Sequence, residues 1–156
     1  MPNFTMLAEN KGHDYIKQAY LAACSIKKFN PNAKVCLITN DAVSDKQKLV
    51  FDDIVEIPWY DKTESRFSAE HRWKVYHATP YDKTIVIDTD ILVLENIEHW
   101  WKFLQKKHLY FTTNVKTYRG TEYTTDYYRQ SFRTHDLPDI YCAFYYFEKC
   151  AESHKF

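Results

Sequence analysis

The sequence predicts a three-layer αβα domain with a mainly parallel sheet, and three observations predict it. Short apolar runs rich in β-branched residues recur at Phe4–Ala8, Val35–Ile38 and Ile85–Ile87, without the alternation of a half-solvated strand. An amphipathic helical stretch separates the first two, so the chain opens as strand, helix, strand. That order implies parallel pairing through a right-handed crossover. Finally, 156 residues that are 45% hydrophobic and 17% aromatic suffice for one globular domain with a real core.

Phe4–Ala8 is the first strand. Asn10-Lys11-Gly12 supplies turn chemistry and Asp14 can cap the helix that follows. Ile16, Ala19, Tyr20, Ala23 and Ile26 form one apolar stripe from about Asp14 to Phe29. Lys27 and Lys28 suit the helix C-terminus, and Asn30-Pro31 stops it. Val35–Ile38 is the second strand, Ser44–Phe51 a short polar helical link, and Ile54–Ile57 a third strand closed by Pro58-Trp59. Asp61–Ser68 is loop-like, and Ala69–Ala78 reads as a helix leading through Thr79-Pro80 into the strand Ile85–Ile87. Ile97–Leu104 is helical and Leu109–Thr113 a strand. Thr117–Thr125 is ambiguous, and Tyr127–Phe132 has helical character. Tyr141–Phe147 is a strongly aromatic strand, expected beside the active edge with one aromatic face buried, and a helix begins at Glu148. It serves as a plain core strand or an acceptor-binding one.

Lys plus Arg and Asp plus Glu both number 21, so no net field favours nucleic acid or an anionic membrane. No apolar stretch approaches the roughly 20 residues of a membrane span, and the N-terminus lacks signal-peptide character. Cys24, Cys36, Cys142 and Cys150 match no zinc spacing and read as thiols of a cytoplasmic protein.

The central strand ends in Asp88-Thr89-Asp90. If the backbone stays extended, Asp88 and Asp90 share a face and Thr89 points away. Two carboxylates roughly 6 Å apart repel by about 3 kcal/mol at an effective dielectric near 20. A cation between them converts that repulsion into a binding site, and hard oxygens suit Mg²⁺ or Mn²⁺ carrying phosphate. A solvated turn is the alternative, but the flanking apolar runs Ile85–Ile87 and Ile91–Leu94 make plain solvation harder to arrange.

Ligands of open parallel sheets bind beyond the C-terminal strand ends, here Ala8-Glu9-Asn10, Thr39-Asn40-Asp41 and Asp88-Thr89-Asp90. Arg72 and Lys74 on the preceding helix, and Arg66 before it, add the cations of a diphosphate site, or else line a solvated helix face. With two glycines in the chain, Gly12 and Gly120, neither a P-loop nor a dinucleotide fingerprint is present.

Leu7-Ala8-Glu9-Asn10, Tyr15 and Cys36–Asp41, with Arg72 through Leu94, resemble the nucleotide-binding half of GT-A-fold glycosyltransferases of the glycogenin-like family eight. The resemblance covers about residues 4–150. It implies a Rossmann-like nucleotide-diphospho-sugar transferase domain and a nucleotide-sugar donor, a UDP-sugar first, bridged by Mn²⁺ or Mg²⁺ to Asp88 and Asp90. Asp90 is the direct ligand; Asp88 binds the metal or shares it through water and ribose. Ala8, Asn10 and Tyr15 would contact the nucleoside, Asn40 and Asp41 the base edge, Arg72 or Lys74 the phosphate or sugar, and Thr89 the donor between the carboxylates. The acceptor is not specified, and a homo-oligomer stays open. Two departures stand out: Tyr141 replaces an Asn that helps hold the sugar, and the family's third metal ligand, a later His, has no counterpart, with His154 too close to the Tyr141 strand. A domain lacking its C-terminal part follows as an expectation. Two other readings stay open, a non-catalytic nucleotide-sugar module and a haloacid-dehalogenase-type phosphohydrolase. The latter's motif ordinarily follows the first strand and continues into glycine.

Overall fold

The computed structural model describes residues 1–60, 70–113, 116, 134–138 and 140–155. Asn3–Leu7 forms β1, whose middle residues are buried on both faces. Gly12 takes a φ of +83°, the left-handed value that makes glycine the natural residue in this turn. Tyr15–Phe29 is α1. Asp14 caps it, its Oδ1 accepting the Lys17 amide at 2.9 Å, and Ile16, Ala19, Ala22, Ala23 and Ile26 form its buried face. Tyr20, expected in that stripe, lies at its margin, and Ala22 takes the place instead.

Lys34–Ile38 is β2, Asp45–Lys48 the one-turn α2, and Asp53–Val55 β3, shorter than the predicted Ile54–Ile57. Ser44 and Gln47 form a reciprocal capping box on α2. Ser44→Ala is expected to lower stability by about 1 kcal/mol, read as a lower urea midpoint at unchanged m-value.

The helix predicted over Ala69–Ala78 is, in its described part, a 3₁₀ turn at Arg72–Lys74 running into the one-turn α3, Val75–Ala78. Aromatic and β-branched residues propagate a helix poorly, and Thr79-Pro80 ends it. Lys83–Ile87 is β4, Glu98–Leu104 α4, Leu109–Thr113 β5 and Ile140–Glu148 β6. The helix expected from Glu148 starts later, as α5 over Ala151–His154, because β6 pairing continues through Glu148. The expectations for Asp61–Ser68, Arg66, Thr117–Thr125 and Tyr127–Phe132 lie outside the described residues.

The sheet order is β3-β2-β1-β4-β6-β5. β1, β2, β3 and β4 pair in parallel, and β6 runs antiparallel to both β4 and β5. The mainly parallel α/β sheet predicted from the sequence is present, with β4 in its interior and one reversed strand. One face carries α1 and α4 over a core containing Phe4, Ile26, Ile85, Trp101 and Tyr146. The other buries Ile38, Val75, Val86 and Phe147 beneath α3. Trp101 meets Tyr146 edge-on at 5.8 Å, so aromatic mass from β6 fills the first core. Buried Thr5 bonds Thr79 at 2.8 Å and Thr84 at 2.9 Å, tying β1 and β4 to the end of α3, whereas the buried Tyr146 hydroxyl has no hydrogen-bond partner among the described residues.

Candidate active site

Because β1, β2 and β4 point the same way, their C-terminal ends meet along one sheet edge. The three polar strand ends picked from the sequence converge there, and the Asn10 amide donates to Asp41 Oδ2 at 2.6 Å. A cavity of about 220 Å³ opens at this edge, lined by Glu9, Tyr15, Arg72, Asp88, Thr89, Asp90, Cys142 and Tyr145 over the apolar floor of Leu7, Val75, Val86 and Ile87.

The last β4–β6 rung is the Asp88 amide donating to the Ala143 carbonyl at 2.9 Å. The chain then turns, with the Ile91 amide returning to the Asp88 carbonyl at 3.2 Å. This corrects the extended-strand expectation. Thr89 does not point away: it lines the same cavity as the carboxylates, and its hydroxyl donates to Gln18 Oε1 at 3.1 Å. A turn, rather than strand alternation, brings Asp88 and Asp90 to one space.

Arg72 Nη2 lies 2.9 Å from Asp88 Oδ2, and Nη1 donates to Cys142 Sγ at 2.9 Å. Burial opposes the Arg72 charge, but Asp88 and Cys142 hold the guanidinium above its ordinary pKa. Burial pushes the Asp88 carboxyl up; Arg72 pulls it back and Asp90 pushes it further, leaving it above the usual carboxylate range. Burial therefore outweighs the ion pair at Asp88. Asp90 is exposed and makes no hydrogen bond among the described residues. Tyr141, with its phenol raised by burial and then by Asp88 and Asp90, stands close enough to feel both carboxylates.

The donor set fits a divalent cation of the Mg²⁺ or Mn²⁺ type. Such ions use one or two carboxylates and fill their shell with water and phosphate oxygens, and Asp88 keeps one oxygen outside its bond to Arg72. Among the described residues no third His, Cys, Asp or Glu joins the pair.

Other expected residues have structural partners. Ala8 is buried at the end of β1, its amide on the Ile38 carbonyl at 3.0 Å. Asn10 Oδ1 accepts the Ile16 amide at 3.1 Å, and Asn40 Oδ1 accepts the Ile57 amide at 2.9 Å. Asp41 and Asn10 thus brace two strand ends beside the cavity rather than line it. Lys74 is 3% exposed and donates to the Trp59 carbonyl at 2.9 Å, outside the cavity lining.

Sequence reasoning missed Glu9, His71, Cys142 and Tyr145. Glu9 Oε2 meets His71 Nδ1 at 2.8 Å, both nearly buried, and Lys11 Nζ stands 3.5 Å from Glu9 Oε1. Glu9 falls within a polar strand end and His71 beside Arg72, so an acid and an imidazole at one edge are the signal the sequence offers for them. Cys142 and Tyr145 enter only through the antiparallel placement of β6. They and Arg72 also border a second, more apolar groove of about 370 Å³ with Trp73, His77 and Phe147.

No family model matches the chain, and no curated protein sequence does. Solved structures do resemble it. The galactosyltransferase LgtC, in complex with donor and acceptor sugar analogues, superposes with a TM-score of 0.62 at 14% identity, over 94% of this chain and 57% of that one. The glycosyltransferase GlyE of Streptococcus pneumoniae TIGR4 gives 0.59 at 13% identity, over 94% of this chain and 34% of its own. The fold is that of GT-A glycosyltransferases, and the chain spans little more than half of the LgtC length.

Proposed function

We propose that the chain is a divalent-metal-dependent glycosyltransferase of the glycogenin-like type, taking a nucleoside-diphosphate sugar, a UDP-sugar first, at the Asp88–Asp90 edge. The observation that carries this is two carboxylates and a paired guanidinium in one cavity, at the C-terminal strand ends of this fold.

When bound, Mn²⁺ or Mg²⁺ would supply Lewis-acid stabilisation of the leaving diphosphate, held by Asp90 directly and by Asp88. Arg72, anchored by Asp88, presents the remainder of its guanidinium to the negative charge that grows on the leaving group. Tyr15 at the first turn of α1 offers a ring to the nucleoside from the cavity wall. Ala8, Asn10, Asn40 and Asp41 shape the nucleoside and base edge mainly through the backbone they brace. Thr89, held by Gln18, fixes the turn carrying both carboxylates. Lys74 acts at one remove, securing the Trp59 segment behind the site. A cavity of about 220 Å³ is smaller than the ~300–1,000 Å³ of usual ligand pockets, so it suits the diphosphate and ion, with the sugar continuing toward the groove past Arg72.

A nucleotide-sugar binding module without turnover is favoured by one observation, the missing third ligand among the described residues. Calorimetry with Mn²⁺ and UDP-hexoses is expected to show metal-dependent binding, and incubation to release free UDP. Binding without UDP release supports the module; no binding in the presence of Mn²⁺ overturns both readings.

A further inference from the structure

Far from the cavity, at the opposite end of the sheet, a second set of metal-ligating groups comes together. β6 runs antiparallel to β4, so Glu148 pairs with Lys83 while Ala143 pairs with Asp88 through its carbonyl. Five strand residues separate the two positions, roughly 17 Å. Here His108, just before β5, meets Cys150 and Glu152 at the start of α5, with one ligand atom from each lying within 4.8 Å of the others. A further carboxylate, Glu148, sits 3.2 Å from His108 Nδ1 and steadies the ring. The Glu148 amide bonds the His108 carbonyl at 2.8 Å, so the backbone also holds these segments in register.

We propose that His108, Cys150 and Glu152 form a zinc site that staples α5 to the ends of β5 and β6. The donor set is soft where the Asp88–Asp90 pair is hard. Thiolate and imidazole select zinc, whereas bare carboxylates select Mg²⁺ or Mn²⁺. A thiolate and a carboxylate together neutralise a divalent ion, and a neutral imidazole completes three protein ligands, leaving a fourth position for water. Tetrahedral zinc holds its ligands about 3.5 Å apart, a little inside the 4.8 Å within which these ligand atoms already lie. The Cys150 sulfur stands 3.5 Å from Ser153 Oγ, and its thiol proton is the one zinc would displace to the solvent on binding. The spacing had hidden this site: Cys150 and Glu152 are local, but His108 lies 42 positions before Cys150 and arrives only through β5–β6 pairing.

The test uses the whole chain with Zn²⁺ and Co²⁺ alone. One equivalent of Co²⁺ per chain is expected to give tetrahedral d–d bands and a near-ultraviolet thiolate charge-transfer band, with release of about one proton. Cys150→Ser should remove the charge-transfer band and weaken Zn²⁺, measured by chelator competition, at least tenfold. His108→Ala, at a half-exposed position that cannot endanger folding, should weaken it similarly, whereas Asp90→Asn should leave it unchanged. The proposal is overturned by a Co²⁺ complex lacking the thiolate band, by full Zn²⁺ affinity in either variant, or by half an equivalent per chain, the mark of an ion bridging two molecules.

Discussion

Asp90→Asn is expected to reduce Mn²⁺-dependent donor affinity on the order of 100-fold, about 2.7 kcal/mol, while leaving the melting temperature of the metal-free protein unchanged or slightly raised. Asparagine keeps the size and hydrogen-bonding capacity of the side chain and removes only its charge. Asp90 is exposed, lies outside both cores and bonds to none of the described residues, so folding loses nothing with that charge. Relief of its repulsion with Asp88 acts in the opposite direction. Asp88 is a poorer probe because Asp88→Asn also strips Arg72 of its 2.9 Å partner, mixing loss of the ion with displacement of the guanidinium. Titration calorimetry of Mn²⁺ and donor into both proteins reads the effect. Equal affinity in parent and variant would show that the ion binds elsewhere.

The second large effect concerns stability. His71→Ala is expected to cost about 3 kcal/mol, because removing one member of a buried pair leaves Glu9, among the described residues, with only Lys11 at 3.5 Å. Loss of the imidazole also removes its tilted contact with the Tyr60 ring at 5.3 Å. For a chain of this length the melting temperature should fall on the order of 10 °C. Replacing Glu9 by Gln as well should recover part of the loss, since the group left behind is then neutral, and a double-mutant cycle from urea unfolding measures that recovery. A deficit below 1 kcal/mol in His71→Ala, or strict additivity in the cycle, would rule out the pair as a stabilising unit. Glu9 lines the cavity, so the same variant should also weaken donor binding.

The sequence by itself determined the layered α/β plan. β-branched apolar runs can be buried on both faces only inside a sheet, and the alanine-rich stripe of α1 can cover that sheet from one side. It also put two aspartates at the end of an interior strand, and both line the cavity at that edge. Local signals carried this far because strands, caps and turns are decided by residues a few positions apart. Tertiary structure alone decided the rest. The reversal of β6 is invisible in Tyr141–Phe147, whose aromatic pattern suits either direction, yet it sets Cys142 and Tyr145 beside Asp88. The turn after Asp88 replaced strand alternation as the reason the carboxylates meet, because hydrogen bonding from Ile91 ends the strand one residue into the motif. Lys74 and Arg72, two residues apart and interchangeable as charges in a sequence, were separated by a 3₁₀ turn that sent one to the Trp59 carbonyl and the other to Asp88. The pairing of Glu9 with His71, 62 positions apart, depends on desolvation that only the closed fold imposes.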